Sequence, residues 1–178
     1  MLKLKKLSLT ALKKKQKRVK KNRRMSDYEK CLNLAKRYLA MREHSQFQIY
    51  NKLVNKNLRV DLINEVLKDL QDGGFQSDER YTQEYIRYRQ NTGYSSRKII
   101  YELESNGISS ELINNNEHYF IDDRDILSEL VKYKILDKDI SDQKVLTKFI
   151  NHFRSKGFDN NIILEVINNV QDIAIYEK

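Results

Sequence analysis

Positive charge is the feature of this sequence that most clearly indicates a binding function, and its excess over negative charge lies at one end. Residues 1–24 carry twelve of the 34 lysines and arginines and no acidic residue. The chain from Met25 onward therefore holds 22 basic against 25 acidic residues, although the formal net charge of the whole chain is +9. A run of like charge repels itself into solvent and can bind phosphate groups. We expect contact with nucleic acid through this basic tail, or alternatively a true start at Met25. The candidate residues in the tail are Lys13, Lys14, Lys15, Arg23 and Arg24.

A second basic group lies in the body of the chain. Its candidates for contact with a partner or with DNA are Arg42, Arg80, Arg87, Arg89, Arg97 and Lys98. Arg80 and Arg87 are seven residues apart and share one helix face, whereas Arg89 lies elsewhere on the helix. A local basic surface on a slightly acidic body fits a partner that offers both phosphates and acidic protein surface. The alternative is that these residues form solvated faces with weak ion pairs, such as Arg80 with Glu84.

The residue types that usually carry catalysis are too scattered to form a site. His44, His118 and His152 show no metal-ligand spacing with one another or with Cys31. The sequence also lacks a phosphate-binding P-loop, a nucleophile elbow and an HExxH motif. We therefore expect no catalytic residue, no metal site and no cofactor, and we interpret the protein as a non-enzyme. A single cysteine and the lack of a long apolar stretch predict a cytoplasmic protein without a membrane segment.

The elements that must position the basic residues repeat every fifty residues. An apolar pair with a spacing of four recurs as Ile49 and Leu53, Ile99 and Leu103, and Phe149 and Phe153. Asn57, Gly107 and Gly157 follow at the same offset, and these residue types favour the left-handed conformation that ends a helix. Such self-similarity is typical of stacked supersecondary units that share a core.

Composition and periodicity together predict the architecture. The chain contains no proline, only five glycines and 33% charged residues, which suits helices with short connections. We predict an all-α fold in which three tandem three-helix, helix-turn-helix-like repeats form an elongated curved array. The predicted organisation is a basic tail over residues 1–26 and repeats over 27–75, 76–121 and 122–178.

Capping residues and apolar stripes predict where helices begin and which faces are buried. Ser45 with Gln48 forms a capping box, Ser95 or Ser96 opens another helix, and Ser141 is the expected cap of a later one.

The apolar stripe of the first helix is predicted to run through Met41. Tyr81, Tyr85 and Tyr88 are predicted to form a core stripe. Tyr94 and Tyr101 are the better candidates for stacking on bases.

Four motifs at the joints of the array resemble the RecX family. They are Arg42-Glu43-His44-Ser45 leading to Ile49 and Leu53, Ser77-Asp78-Glu79-Arg80-Tyr81 with Tyr85, Arg87 and Arg89, Gly93-Tyr94 leading to Ile99, Leu103, Gly107 and Ile108, and Arg154-Ser155-Lys156-Gly157-Phe158. The resemblance spans about residues 28–173. It implies a small regulator that lies in the groove of the RecA filament on single-stranded DNA and limits recombinase, ATPase and co-protease activity. The implied partners are the RecA protein and its filament. We also expect a monomer, and direct DNA binding through the basic tail.

A helix-turn-helix-type protein that acts on DNA directly is the alternative function. Its recognition helices would be the third helices, which start at residues 59–61, 109–111 and 159–161. Each of these three ranges contains an acidic residue, where a phosphate backbone would approach. The RecA regulator is therefore the favoured interpretation.

Overall fold

The structure, a computed structural model, describes the backbone of residue 17, residues 27–135 and residues 142–176. It describes side-chain burial for residue 17, residues 27–132 and residues 142–169. Within those ranges the chain forms nine α-helices, one 3-10 turn and no strand, which confirms the all-α prediction. The helices are α1 (27–41), α2 (Gln46–Val54), α3 (Val60–Asp72), α4 (Asp78–Asn91), α5 (Ser96–Ser105), α6 (Ser110–Asn115), α7 (Asp123–Ile135), α8 (Gln143–Ser155) and α9 (Asn160–Tyr176). The 3-10 turn, Glu117–Tyr119, follows α6.

The chain divides into two compact units, Met1–Ser77 and Asp78–Lys178. In the first unit, α1, α2 and α3 surround one apolar core. Its buried members are Cys31, Ala35, Ile49, Leu53, Ile63, Val66, Leu67 and Leu70. The Tyr28 hydroxyl donates a hydrogen bond to Asp69, which ties α1 to α3 and raises the pKa of Tyr28 to about 12.

The second unit contains two further cores. One lies among α4, α5 and α6 and buries Tyr81, Ile86, Ile99, Leu103, Ile108 and Ile113. The other lies among α7, α8 and α9 and buries Leu127, Val131, Phe149, Phe153, Phe158, Ile163, Val166 and Ile167. Each helical triplet of this unit thus encloses apolar side chains of its own, as expected for repeats that stack.

The fifty-residue pattern marks equivalent structural positions. Its apolar pairs are buried in all three cores. The turn residues Asn57, Gly107 and Gly157 have φ angles of 57°, 81° and 95°. The predicted left-handed turn is therefore confirmed in each case, and asparagine, which tolerates this conformation, occupies it in the first triplet.

Two predicted helix caps are found, and one is wrong. Ser45 Oγ accepts a hydrogen bond from the Gln48 backbone N–H at 3.1 Å. Ser95, rather than Ser96, caps α5 by accepting from the backbone N–H of the residue three positions later. The predicted cap of α8 at Ser141 is wrong, because Asp142 occupies that position and accepts from the Lys144 backbone N–H at 2.7 Å. A carboxylate is as effective an N-cap as a hydroxyl.

Two apolar stripes, one on α1 and one on α4, are predicted to extend further along the helix than the buried face does. Met41, at the end of α1, is 82% exposed. Tyr88 is 63% exposed, because the buried side of α4 is centred on Thr82 and Ile86. At 3.6 residues per turn, Tyr88 falls just beyond the edge of that buried arc although it shares the helical phase of Tyr81.

Candidate partner-binding surface

The polar helix α4 presents two of the predicted basic residues to solvent. Its core-facing side carries Thr82 and Ile86, which places Arg80 and Arg87 on the opposite side, where both are exposed. Arg87 pairs with Glu84 at 2.9 Å, and its guanidinium carbon lies 5.0 Å from the Tyr119 ring centroid. This exposed pair is weak, because water screens it and the side chains must be ordered.

Arg89 has a different environment from the other arginines of α4. Its Nε and Nη2 atoms donate to the two carboxylate oxygens of Glu102 at 2.7 and 2.6 Å, and the guanidinium lies 3.4 Å from the Tyr94 ring centroid. The Tyr85 hydroxyl also donates to Glu102, at 3.0 Å. Burial acts to lower the pKa of Arg89, but the hydrogen bonds and charge of Glu102 raise it overall. The Arg89 side chain thus connects α4 to α5, and only 16% of it is exposed.

The two predicted basic residues of α5 lie at its first turn. Arg97 is exposed, and its Nη2 donates to the Gly157 carbonyl at 3.0 Å. Lys98 Nζ lies 4.0 Å from the nearer Glu102 oxygen and 5.5 Å from the Tyr101 ring centroid. The structure therefore brings Arg97 and Lys98 together with the turn that follows α8.

Lys156 joins this region, although it is not among the basic residues that the sequence predicts as contacts. Its Nζ donates to the Thr92 carbonyl at 2.6 Å and lies 4.2 Å from the Tyr94 ring centroid. Its backbone carbonyl accepts from the Ser95 N–H at 3.1 Å. Since Thr92 and Lys156 are 64 residues apart, no local pattern points to the contact. We name Arg97, Lys98 and Lys156 the basic triad.

Arg42 belongs to the first unit and is described there. Its Nη1 donates to the Glu43 carbonyl at 2.8 Å and to Gln48 Oε1 at 3.3 Å, and the side chain is exposed. The neighbouring His44 is buried, with Nδ1 3.0 Å from the Arg42 carbonyl. Burial lowers the pKa of His44, and the charges of Arg42 and Lys52 act in the same direction.

The tyrosines of α4 and α5 fall into distinct environments. Tyr81 is fully buried, whereas Tyr88 and Tyr101 are each 63% exposed. Tyr94 is half-buried against the cations of Arg89 and Lys156, so its ring is already covered in part. Of the two stacking candidates, Tyr101 is the one with an open ring.

The tail candidates Lys13, Lys14, Lys15, Arg23 and Arg24 lie outside the residues that the structure describes. Across the described ranges, no group of three histidine, cysteine, aspartate or glutamate residues is placed to hold a metal ion. None of the described helices is long and apolar enough to cross a membrane.

Comparison with known proteins decides the family. Residues 77–115 match the profile of the RecX second three-helix domain. The "Regulatory protein RecX" of Haemophilus ducreyi is 34% identical over 124 residues, which cover 68% of this chain and 80% of that protein. The chain belongs to the RecX family.

Other members support this assignment over a longer stretch. The RecX protein of Legionella pneumophila (strain Corby) is 29% identical over 143 residues, or 80% of this chain and 95% of that protein. The crystal structure of RecX from Lactobacillus salivarius has the same fold, with a TM-score of 0.63 at 21% identity over 83% of this chain and 98% of that one. The relatives are named as regulatory proteins, which places this RecX family member among regulators.

Proposed function

We propose that this RecX family member binds the RecA recombinase and its filament on single-stranded DNA, and thereby limits recombinase, ATPase and co-protease activity in DNA repair and recombination. The observation that carries the proposal is the match over most of the chain to proteins named regulatory protein RecX. It acts by binding rather than by catalysis, as a cytoplasmic monomer.

The exposed cations of the second unit supply the contact surface in this proposal. Arg80 and Arg87 face solvent on α4, and Arg97 does so at the start of α5. Arg89 takes part indirectly, because its contact with Glu102 holds the two helices together. Arg42 is exposed in the first unit and is proposed as a separate contact.

Hydrolysis of ATP by RecA on single-stranded DNA tests the proposal directly. The purified protein is expected to slow hydrolysis when present at or below the RecA concentration. A sedimentation assay in parallel should show the protein in the pellet with RecA filaments. Unchanged hydrolysis together with no association would refute the proposal.

Charge reversal tests whether the contact is local. Changing both Arg87 and Arg97 to Glu should weaken filament binding by about tenfold, because like charge would then face acidic protein or phosphate. Lys144 and Lys148 are exposed on α8 and give a matched control pair for reversal. Equal losses from the two double variants would show that the contact is not confined to α4 and α5.

Deletion of residues 1–24 tests the role of the basic tail. The deletion removes twelve basic residues, so affinity for bare DNA should fall and depend less steeply on salt. The helical circular dichroism spectrum should keep its shape. If the truncated protein binds bare DNA as well as the full chain does, the tail has no electrostatic role.

A further inference from the structure

The basic triad surrounds the turn at Gly157. Arg97 reaches the Gly157 carbonyl, Lys156 precedes Gly157 in the chain, and a Cβ at Gly157 would lie 2.6 Å from the Lys98 Cβ. The hydrogen bonds that hold Arg97 and Lys156 end on backbone carbonyls, which orient a cation without neutralising its charge. Three positive charges are therefore gathered at one place on a body whose net charge is slightly acidic.

The acidic groups nearby are already engaged. Both oxygens of Glu102 accept from Arg89, and the Lys98 ammonium stands 4.0 Å away from the nearer one. Asp123 Oδ1 accepts from the Ser96 N–H at 2.7 Å and from its hydroxyl at 2.9 Å. An anion at this place would consequently be held by the side chains of the triad rather than by the first amides of α5.

One exposed tyrosine borders the triad. Tyr101 lies one helical turn after Lys98, whose ammonium is 5.5 Å from the ring centroid. The α5 turn that carries both residues is joined to α4 by the Arg89–Glu102 ion pair. Tyr101 is 63% exposed.

We propose that the basic triad and Tyr101 form a binding site for single-stranded nucleic acid. The triad binds the phosphates, and Tyr101 stacks on an unpaired base. Aromatic rings beside a positively charged surface are the usual means of holding a single strand without sequence preference. A duplex fits less well, because its base faces are stacked inside and unavailable to the ring. The site shares Arg97 with the proposed filament contact and so deepens the proposed function. It requires no second protein, so measurements without RecA test it separately from the proposed action on RecA.

A tryptophan reporter tests the stacking. The chain contains no tryptophan, so a Tyr101→Trp variant of the full chain carries a single one. We expect its fluorescence to be quenched by an oligothymidylate and much less by an abasic oligomer of equal length and charge. Phe75→Trp is the matched control, because Phe75 is 57% exposed and has the Lys36 ammonium 4.9 Å from its ring.

Affinity measurements separate the two parts of the site. Tyr101→Leu should weaken binding of the oligothymidylate roughly tenfold and leave binding of the abasic oligomer unchanged. Arg97→Ala with Lys98→Ala should weaken binding of both oligomers and reduce the slope of log affinity against log salt by about 1.4, the value for two lost phosphate contacts. The control pair Lys144→Ala with Lys148→Ala should leave that slope nearly unchanged. Circular dichroism confirms that each variant is folded.

Three results would overturn the proposal. The first is equal quenching of the Tyr101→Trp and Phe75→Trp variants, which would indicate unspecific contact. The second is an equal effect of Tyr101→Leu on both oligomers, which would exclude stacking. The third is a Tyr101→Trp response that requires RecA, which would assign this surface to a protein contact.

Discussion

Glu102 holds together side chains of both α4 and α5. It accepts hydrogen bonds from Tyr85 and Arg89 and lies near the ammonium of Lys98. Its side chain is only 20% exposed, so the carboxylate compensates a guanidinium that has lost most of its water. The main role of Arg89 is therefore to stabilise the contact between α4 and α5 rather than to bind a partner directly.

Removing the charge of Glu102 should therefore destabilise the second unit. We expect Glu102→Gln to lower the free energy of unfolding by about 2 kcal/mol, because Arg89 keeps its charge in a half-buried position without a carboxylate. Glu84→Gln, which breaks an exposed pair, should change it by less than about 0.5 kcal/mol. Urea denaturation followed by circular dichroism measures both. Similar small effects would show that the Arg89–Glu102 pair is as weakly coupled as a surface pair.

The stability of the first unit should depend on pH because of His44. Burial lowers the pKa of His44 in the folded state below the value of about 6.5 expected in the unfolded chain. The unfolded state then binds a proton more readily, so stability is full above pH 6.5 and is lost as the pH falls further. The urea midpoint should decline between pH 7 and pH 5 in the wild type and less in a His44→Gln variant. Parallel declines would place the titrating group elsewhere.

At the scale of the element, the turns set how closely the helical triplets of the second unit approach. A Cβ at Gly157 would lie 2.5 Å from Ser95 Oγ, and one at Gly93 would lie 2.7 Å from a Leu130 methyl carbon. Both glycines also have positive φ. At each position glycine is thus favoured for two reasons, the positive φ of the backbone and the lack of space for a Cβ atom.

Alanine substitution separates these two requirements. Gly157→Ala should lower the free energy of unfolding by about 3 kcal/mol, because it adds a clash to the strain of the left-handed backbone. Gly74 has a φ of +69° with nothing within 4 Å of an added Cβ, so Gly74→Ala should cost only about 1 kcal/mol. Chemical denaturation checks the difference. Equal values for the two variants would mean that the Gly157 turn can shift without loss.

The sequence predicts those features that depend on neighbouring residues. Asn57 and Gly107 mark left-handed turns because φ is a local property that few residue types accept. The Arg89–Glu102 pair and the contact of Lys156 depend on how helices cross, which no spacing in the chain encodes. The prediction that Tyr88 is buried is wrong for a related reason, since periodicity gives the phase of an apolar stripe but not the width of the arc that neighbouring helices cover.

At the scale of the whole molecule, the second unit is built from two triplets that share polar and apolar contacts. The Ser95 N–H donates to the Lys156 carbonyl, and Ser96 donates to Asp123. The short distance between Gly93 and Leu130 adds packing at the same joint. A repeat whose polar groups and glycine turns are completed by its neighbour depends on that neighbour for stability.

Fragments test this dependence. A fragment covering Asp78–Lys178 keeps both cores and the joint, so it should show a helical circular dichroism spectrum and a cooperative thermal transition. A fragment covering 122–178 keeps the core among α7, α8 and α9 but loses every partner that α4 and α5 supply. We expect it to lose most of its ellipticity at 222 nm and to melt without a sharp midpoint, because a single small repeat buries too little apolar surface to fold alone. A sharp transition of the shorter fragment at the midpoint of the longer one would contradict this, and would show that the joint around Gly157 orients the repeats without stabilising them.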